Sequence, residues 1–130
     1  MADLEKVRSF FKGDIFAMNM GIEIVKADEE ESICTLKICP SLFNAGNTVQ
    51  GGAIFTLADL AFAVAANCEG THTVTQNASV NFLRPGTGVE LIATATKIHA
   101  GKKTCHYAVR VENEQGKLIA HIGINGFRTA

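Results

Sequence analysis

The chain has 130 residues and 47% hydrophobic content, enough for one domain with a real core and too apolar for disorder. Its formal net charge of -1 provides no general basic field to hold nucleic acid or an anionic membrane. Any phosphate-bearing ligand must therefore meet a local cluster. No apolar run is long enough to span a bilayer, and the opening MADLEKVRSFFKG has neither an apolar signal core nor a small-residue cleavage site. The expectation is a cytoplasmic protein with no nucleic-acid or membrane partner, whose Cys34, Cys39, Cys68 and Cys105 stay reduced.

In chain order, the first element predicted is a short helix over Asp3–Lys12, with Leu4, Val7 and Phe11 on one face. The chain then loosens through Gly13–Gly21. A hairpin follows, IEIVKA and ICTLKI around the acidic turn DEEES, and Pro40 ends its second strand. SLFNAGNTVQGG reads as loop and Ala53–Asn67 as helix. Thr73–Leu83 reads as a strand with Val74, Ala78, Val80 and Phe82 on one face and Thr73, Thr75, Asn77, Ser79 and Asn81 on the other. Val89–Ala100, Cys105–Glu112 and Leu118–Ile124 complete the strands, separated by RPGTG, AGKK and NEQG turns.

The fold class this order implies is α+β. Consecutive strands with tight turns pair antiparallel. The Ala53–Asn67 helix is apolar almost all round, so it has to be buried. An antiparallel sheet of about six strands wrapped around one long helix satisfies both. The uncharged polar face of Thr73–Asn81 suggests cover by another subunit.

Asp59 is the only charge between Asn47 and Asn67, a costly place for an acid without a partner. A structural acid bonded to the backbone or to Thr56 is one reading; a general base or nucleophile is the other. Gly51 and Gly52 open the helix. They serve either as a tight entry turn or as free N–H groups at the positive end of the helix dipole, suited to a polarised carbonyl. Gly51 and Asp59 are eight positions apart, about 12 Å along a helix. One helix can scarcely bring both to one reacting carbon. Two antiparallel copies can, which predicts a homodimer with a shared active site.

These residues resemble the hotdog-fold acyl-CoA thioesterases of the phenylacetate-pathway (PaaI-like) type. The resemblance runs from about Gly21 to Phe127 and rests on Asn44, Gly51–Gly52, Leu57-Ala58-Asp59 and the NFLRPG of Asn81–Gly86. It implies a hotdog fold, hydrolysis of an acyl-CoA thioester to free acid and CoA, and no cofactor or metal. Asp59 would activate water or attack the carbonyl directly, and the Gly51 N–H of the other subunit would polarise that carbonyl. Asn44 would orient water or acyl group, and Thr75 would place a hydroxyl near the water. It also implies a homotetramer built as a dimer of dimers. Gln50 stands where the family usually has histidine; it can donate and accept hydrogen bonds but cannot shuttle a proton near neutral pH. The alternative is a non-catalytic acyl-CoA-binding hotdog module.

Substrate-binding candidates are Gly52, Phe82, Arg84, Lys102 and Lys103, with Lys97 nearby; the resemblance suggests CoA phosphates near such cations, while ordinary solvated turn charges explain each singly. Phe82 reads more simply as core. Phe10, Phe11 and Phe16 either cap the acyl pocket or dock the N-terminal helix. His72, His99, His106 and His121 are scattered without a shared metal motif, and no cysteine has an evident activating base.

Overall fold

The computed structural model describes residues 2–129. Helix α1 (Leu4–Phe11) is capped by Asp3, whose side chain accepts from the Glu5 and Lys6 N–H groups. The segment expected to be loose instead forms a second helix, α2 (Ile15–Met20). Its boundaries are punctuated chemically: Asp14 accepts from the Ala17 N–H, and Gly21 closes the helix in the left-handed region at φ 89°.

The hairpin forms as β1 (Glu23–Lys26) and β2 (Glu31–Lys37). Pro40 opens a 3-10 turn, Pro40–Leu42, in which Leu42 is buried. Helix α3 spans Gly51–Asn67, so both glycines lie inside its first turn rather than before it. Strands β3 (Thr73–Phe82), β4 (Glu90–Ala100), β5 (Thr104–Asn113) and β6 (Leu118–Arg128) follow. The six strands form one sheet in the order β1-β2-β4-β5-β6-β3, every neighbouring pair antiparallel. This is the α+β architecture expected, one sheet curled around one helix.

The alternating residues of the central strands supply the inner face: Leu91, Ala93 and Ala95, then Tyr107, Val109 and Val111, then Ala120, Ile122 and Ile124 are all buried. Against them α3 packs Leu57, Ala58, Leu60, Ala61, Phe62, Val64 and Ala65. Each large side chain buried this way is worth about 1.5–3 kcal/mol. Phe62 meets Tyr107 edge to face, ring centroids 5.5 Å apart, and Tyr107 donates its hydroxyl to the Glu29 carbonyl at 2.6 Å. One stripe of α3 escapes burial. It carries Gly52, Phe55, Thr56, Asp59 and Ala63, spaced as one helical face, and it holds the acid.

Strand β3 departs from its expected alternation. A β-bulge between Thr75 and Asn77 resets its register against β6. Ahead of the bulge Thr73 and Thr75 face the helix and Val74 is turned outward, 52% exposed. A one-residue insertion exchanges the two faces of a strand, so Thr75 moves to the side where chemistry is possible. At the sheet's edge β3 pairs with β6 alone.

Candidate active site

The loop before α3 is organised by Asn44. Its Oδ1 accepts from the Gly46 N–H at 2.8 Å and the Thr48 N–H at 3.2 Å, while its Nδ2 donates to Thr48 Oγ1 at 3.2 Å. The Gln50 N–H donates to the Leu42 carbonyl at 2.8 Å, and Val49 bridges to Phe43 and Gly86. The helix entrance is thereby fixed from both sides.

Gln50 is the N-cap residue, at φ -63° and ψ 138°, and its Oε1 accepts from the Gly52 N–H at 2.6 Å. The Gly51 N–H has no partner among the described residues. Phe82 is 54% exposed, so it is no core residue; its ring lies over Gly51, with Cζ 3.2 Å from where a Cβ would project. Glycine at 51 therefore serves close approach as well as the turn.

Two turns further on, Asp59 Oδ1 accepts from Thr75 Oγ1 at 2.6 Å. Thr56 is not its partner, because that hydroxyl donates to the Gly52 carbonyl at 2.8 Å. Burial raises the Asp59 pKa above the ordinary carboxylate value; the Thr75 hydroxyl opposes the rise and the nearby charge of Asp14 adds to it. A carboxylate that is desolvated yet held by one hydroxyl suits proton abstraction. Asp14, on the segment read as loose, was invisible as a neighbour of the site.

Two grooves meet the helix entrance. One, of about 340 Å³, is lined by Asn44, Gly51, Phe82 and Arg84 among others. The other, of about 500 Å³, is lined mainly by apolar residues, including Phe16, Met20, Phe43 and Phe55, with Gln50 and Gly52 at its side. Asp59 lines neither. Of the three N-terminal phenylalanines, Phe16 alone reaches these grooves, while Phe10 and Phe11 line a cleft with Asn67 and Cys68 at the other end of α3.

The cations do not gather. Arg84 donates to the Leu118 carbonyl at 2.8 Å, at the start of β6, while Lys102 and Lys103 sit in the β4–β5 turn by the end of β6. The length of β6 separates them, roughly 30 Å at strand rise. Lys97 is paired with Glu30 at 2.9 Å. His106 is bonded to Asn125 at 2.7 Å, and no cluster of three metal-binding side chains occurs among the described residues. Burial pushes the Cys34 thiol up to about 12, and burial with neighbouring acids pushes Cys68 to about 11, so neither is a ready thiolate.

Residues 46–120 match the Thioesterase superfamily. The acyl-coenzyme A thioesterase PaaI of Escherichia coli is 35% identical over 117 residues, covering 89% of this chain and 84% of that protein. Its solved structure superposes with a TM-score of 0.91, covering 97% of this chain and 92% of that one at 32% identity. A hypothetical thioesterase of Streptococcus pneumoniae, solved with coenzyme A, aligns with a TM-score of 0.85 at 26% identity, covering 92% of this chain and 97% of the other. Further structures of that protein carry alanine in place of one aspartate and of one threonine. Fold, family match and identity agree: the chain belongs to the thioesterase superfamily, as a hotdog-fold acyl-CoA thioesterase of the PaaI-like type.

Proposed function

We propose that the chain hydrolyses an acyl-CoA thioester to the free acid and CoA at a site shared between two copies. The observation that carries this reading is that β3 is tied to α3 at both ends. Thr75, near its start, holds Asp59. Phe82, at its end, covers Gly51. β3 is an unprotected edge with the sequence TVTQNASVNF, free of charge and proline. Pairing it antiparallel with its own copy about a two-fold axis exchanges the ends. The Thr75–Asp59 end of one subunit then lies beside the Phe82–Gly51 end of its partner. That supplies the meeting of acid and N–H that about 12 Å of helix denies a single chain.

In the proposed reaction the partner subunit's Gly51 donates its free N–H to the thioester carbonyl. The carbonyl carbon faces a water whose proton Asp59 takes, with Thr75 holding the other side of the carboxylate geometry. The water oxygen bonds to the carbon, the C–S bond breaks, and the sulfur leaves with the bonding pair as CoA thiolate. Attack by Asp59 itself would expel CoA thiolate and form an acyl anhydride that water then opens; after single turnover in heavy-oxygen water, label in Asp59 identifies this route with water attacking the Asp59 carbonyl. Asn44 spends its carbonyl on the loop, so its role toward substrate is limited to the remaining amide N–H, on the groove that Gly51 lines. The apolar groove beside Phe16, Met20 and Phe55 suits an acyl group of hydrocarbon character. Coenzyme A was present in the solved Streptococcus pneumoniae relative, which supports a CoA ester as substrate here. Arg84 and the partner subunit's Lys102 and Lys103 are the candidates for its phosphates, since two-fold pairing of β3 also brings those sheet ends to the same side.

The test is thiol release from short, long and aromatic acyl-CoAs by wild type and Asp59→Asn. A fall of about 10²–10⁴-fold in the variant supports the reading. Equal rates reject Asp59 as the reacting group, and tight binding without turnover by wild type would establish the non-catalytic module instead.

A further inference from the structure

We infer that Gln50 contributes a second, pre-oriented hydrogen-bond donor to the reacting thioester carbonyl, its amide Nε2 acting beside the Gly51 N–H. The inference rests on the proposed roles of Gly51 and Asp59 and goes beyond them.

The orientation of the amide is fixed by chemistry. The Gly52 N–H is a donor, and the Gln50 side-chain atom 2.6 Å from it must be the carbonyl oxygen, since two donors cannot bond each other. The Nε2 group is left free to donate, having no hydrogen-bond partner among the described residues. Gly52 makes the fold-back possible: a Cβ there would stand 2.6 Å from Gln50 Oε1. The second glycine of the pair is therefore a requirement of the Gln50 cap, distinct from the close approach of Phe82 to Gly51. Gln50 lines the apolar groove assigned to the acyl group while its chain neighbour Gly51 lines the adjoining one, so a carbonyl seated where the two grooves meet at the helix entrance has both residues beside it.

This arrangement differs in kind from an imidazole. A neutral amide stabilises charge that grows on the carbonyl oxygen, yet it transfers no proton at any pH near neutrality. The leaving sulfur must then depart as the thiolate. The only proton moved within the site is the one Asp59 accepts from water. The pH profile of kcat/KM should accordingly show the Asp59 limb on the acid side and no inflection near the ordinary histidine value of ~6.5.

The experiment compares wild type, Gln50→Glu, Gln50→Met, Gln50→His and Asp59→Asn on an acyl-CoA that wild type turns over, reading kcat, KM and Tm. Gln50→Glu keeps an acceptor for the Gly52 N–H and places negative charge favourably at a helix N-terminus, so its Tm should equal or exceed that of wild type. It has no donor, and its kcat should fall by about 10²-fold. Its added charge also opposes a developing oxyanion, so the neutral Gln50→Met decides the matter: kcat should fall comparably with KM little changed. Gln50→His should introduce an inflection near ~6.5 that wild type lacks. If Gln50→Glu and Gln50→Met keep wild-type kcat while Asp59→Asn is dead, Gln50 is only a helix cap and this inference alone fails. If Asp59→Asn matches wild type, the underlying reading fails first and takes this one with it.

Discussion

Thr75 Oγ1 donates to Asp59 Oδ1 at 2.6 Å, joining the edge strand to the buried helix across 16 residues of sequence. This bond works against the desolvation that raises the Asp59 pKa. Thr75→Val removes the donor at nearly constant shape. The pKa of Asp59 should then rise further, and because the proposed reaction needs the ionised form, the acid limb of kcat/KM should move to higher pH. A pH–rate profile of the two proteins checks this; an unmoved limb would show that the hydroxyl does not govern the carboxylate.

Asp59→Asn should lose activity by about 10²–10⁴-fold and yet gain stability at neutral pH. A carboxyl whose folded pKa lies above its unfolded value keeps in the native state a proton that the unfolded chain releases. Stability is therefore lost as pH rises from the unfolded value of ~3.9 through the folded one, and stays lower above it. Asparagine has no such dependence. Thermal unfolding should give the variant the higher Tm at pH 7, with the gap narrowing as the pH approaches the unfolded carboxyl value. A variant less stable than wild type at neutral pH would mark Asp59 as a structural acid.

Gly51→Pro deletes the proposed donor with little other change. Proline is well accepted at the first position of a helix, and Gln50 at φ -63° and ψ 138° already has the extended conformation that a following proline requires. The added Cβ would stand 3.2 Å from Phe82 Cζ, a contact that the exposed Phe82 side chain relieves by shifting a few tenths of an ångström. Loss of kcat by about 10²–10³-fold, with the fold intact by circular dichroism, is the expected result.

Gly126 faces the core, where a Cβ would lie 2.7 Å from Phe62 Cζ, 2.7 Å from Thr73 Cγ2 and 2.8 Å from Cys105 Sγ. Gly126→Ala should cost about 1–3 kcal/mol by overpacking, measured by urea unfolding. Because Thr73 begins the strand that carries Thr75, some of that strain should appear as reduced kcat as well.

The long elements were legible because their periodicity is sustained. Ala53–Asn67 is too apolar to lie anywhere but inside, and the strands from β4 to β6 alternate cleanly between turns. Asp59 and Gly51 stood out as an acid and a free helix end in an otherwise apolar run. Helix α2 was missed because six residues are less than two turns, too few for a face to repeat, although Asp14 and Gly21 marked both its ends. The β3 bulge was missed because the apolar spacing of Val74 with Ala78, Val80 and Phe82 reads as an unbroken alternation. That bulge turns Thr75 toward Asp59, and only the paired strand reveals it. The separation of Arg84 from Lys102 and Lys103 is likewise a matter of which sheet end each turn occupies, which composition does not encode.

The proposed shared site is tested most directly with hybrid dimers. Asp59→Asn and Gly51→Pro chains, carrying different tags, are co-expressed and the mixed dimer is purified. Each parent homodimer should be inactive. In the hybrid, one site combines both defects and the other combines an intact Asp59 with the partner subunit's intact Gly51, so about half of wild-type activity should return. A hybrid as inactive as its parents would place acid and amide of each site in the same chain, contrary to the antiparallel pairing of β3.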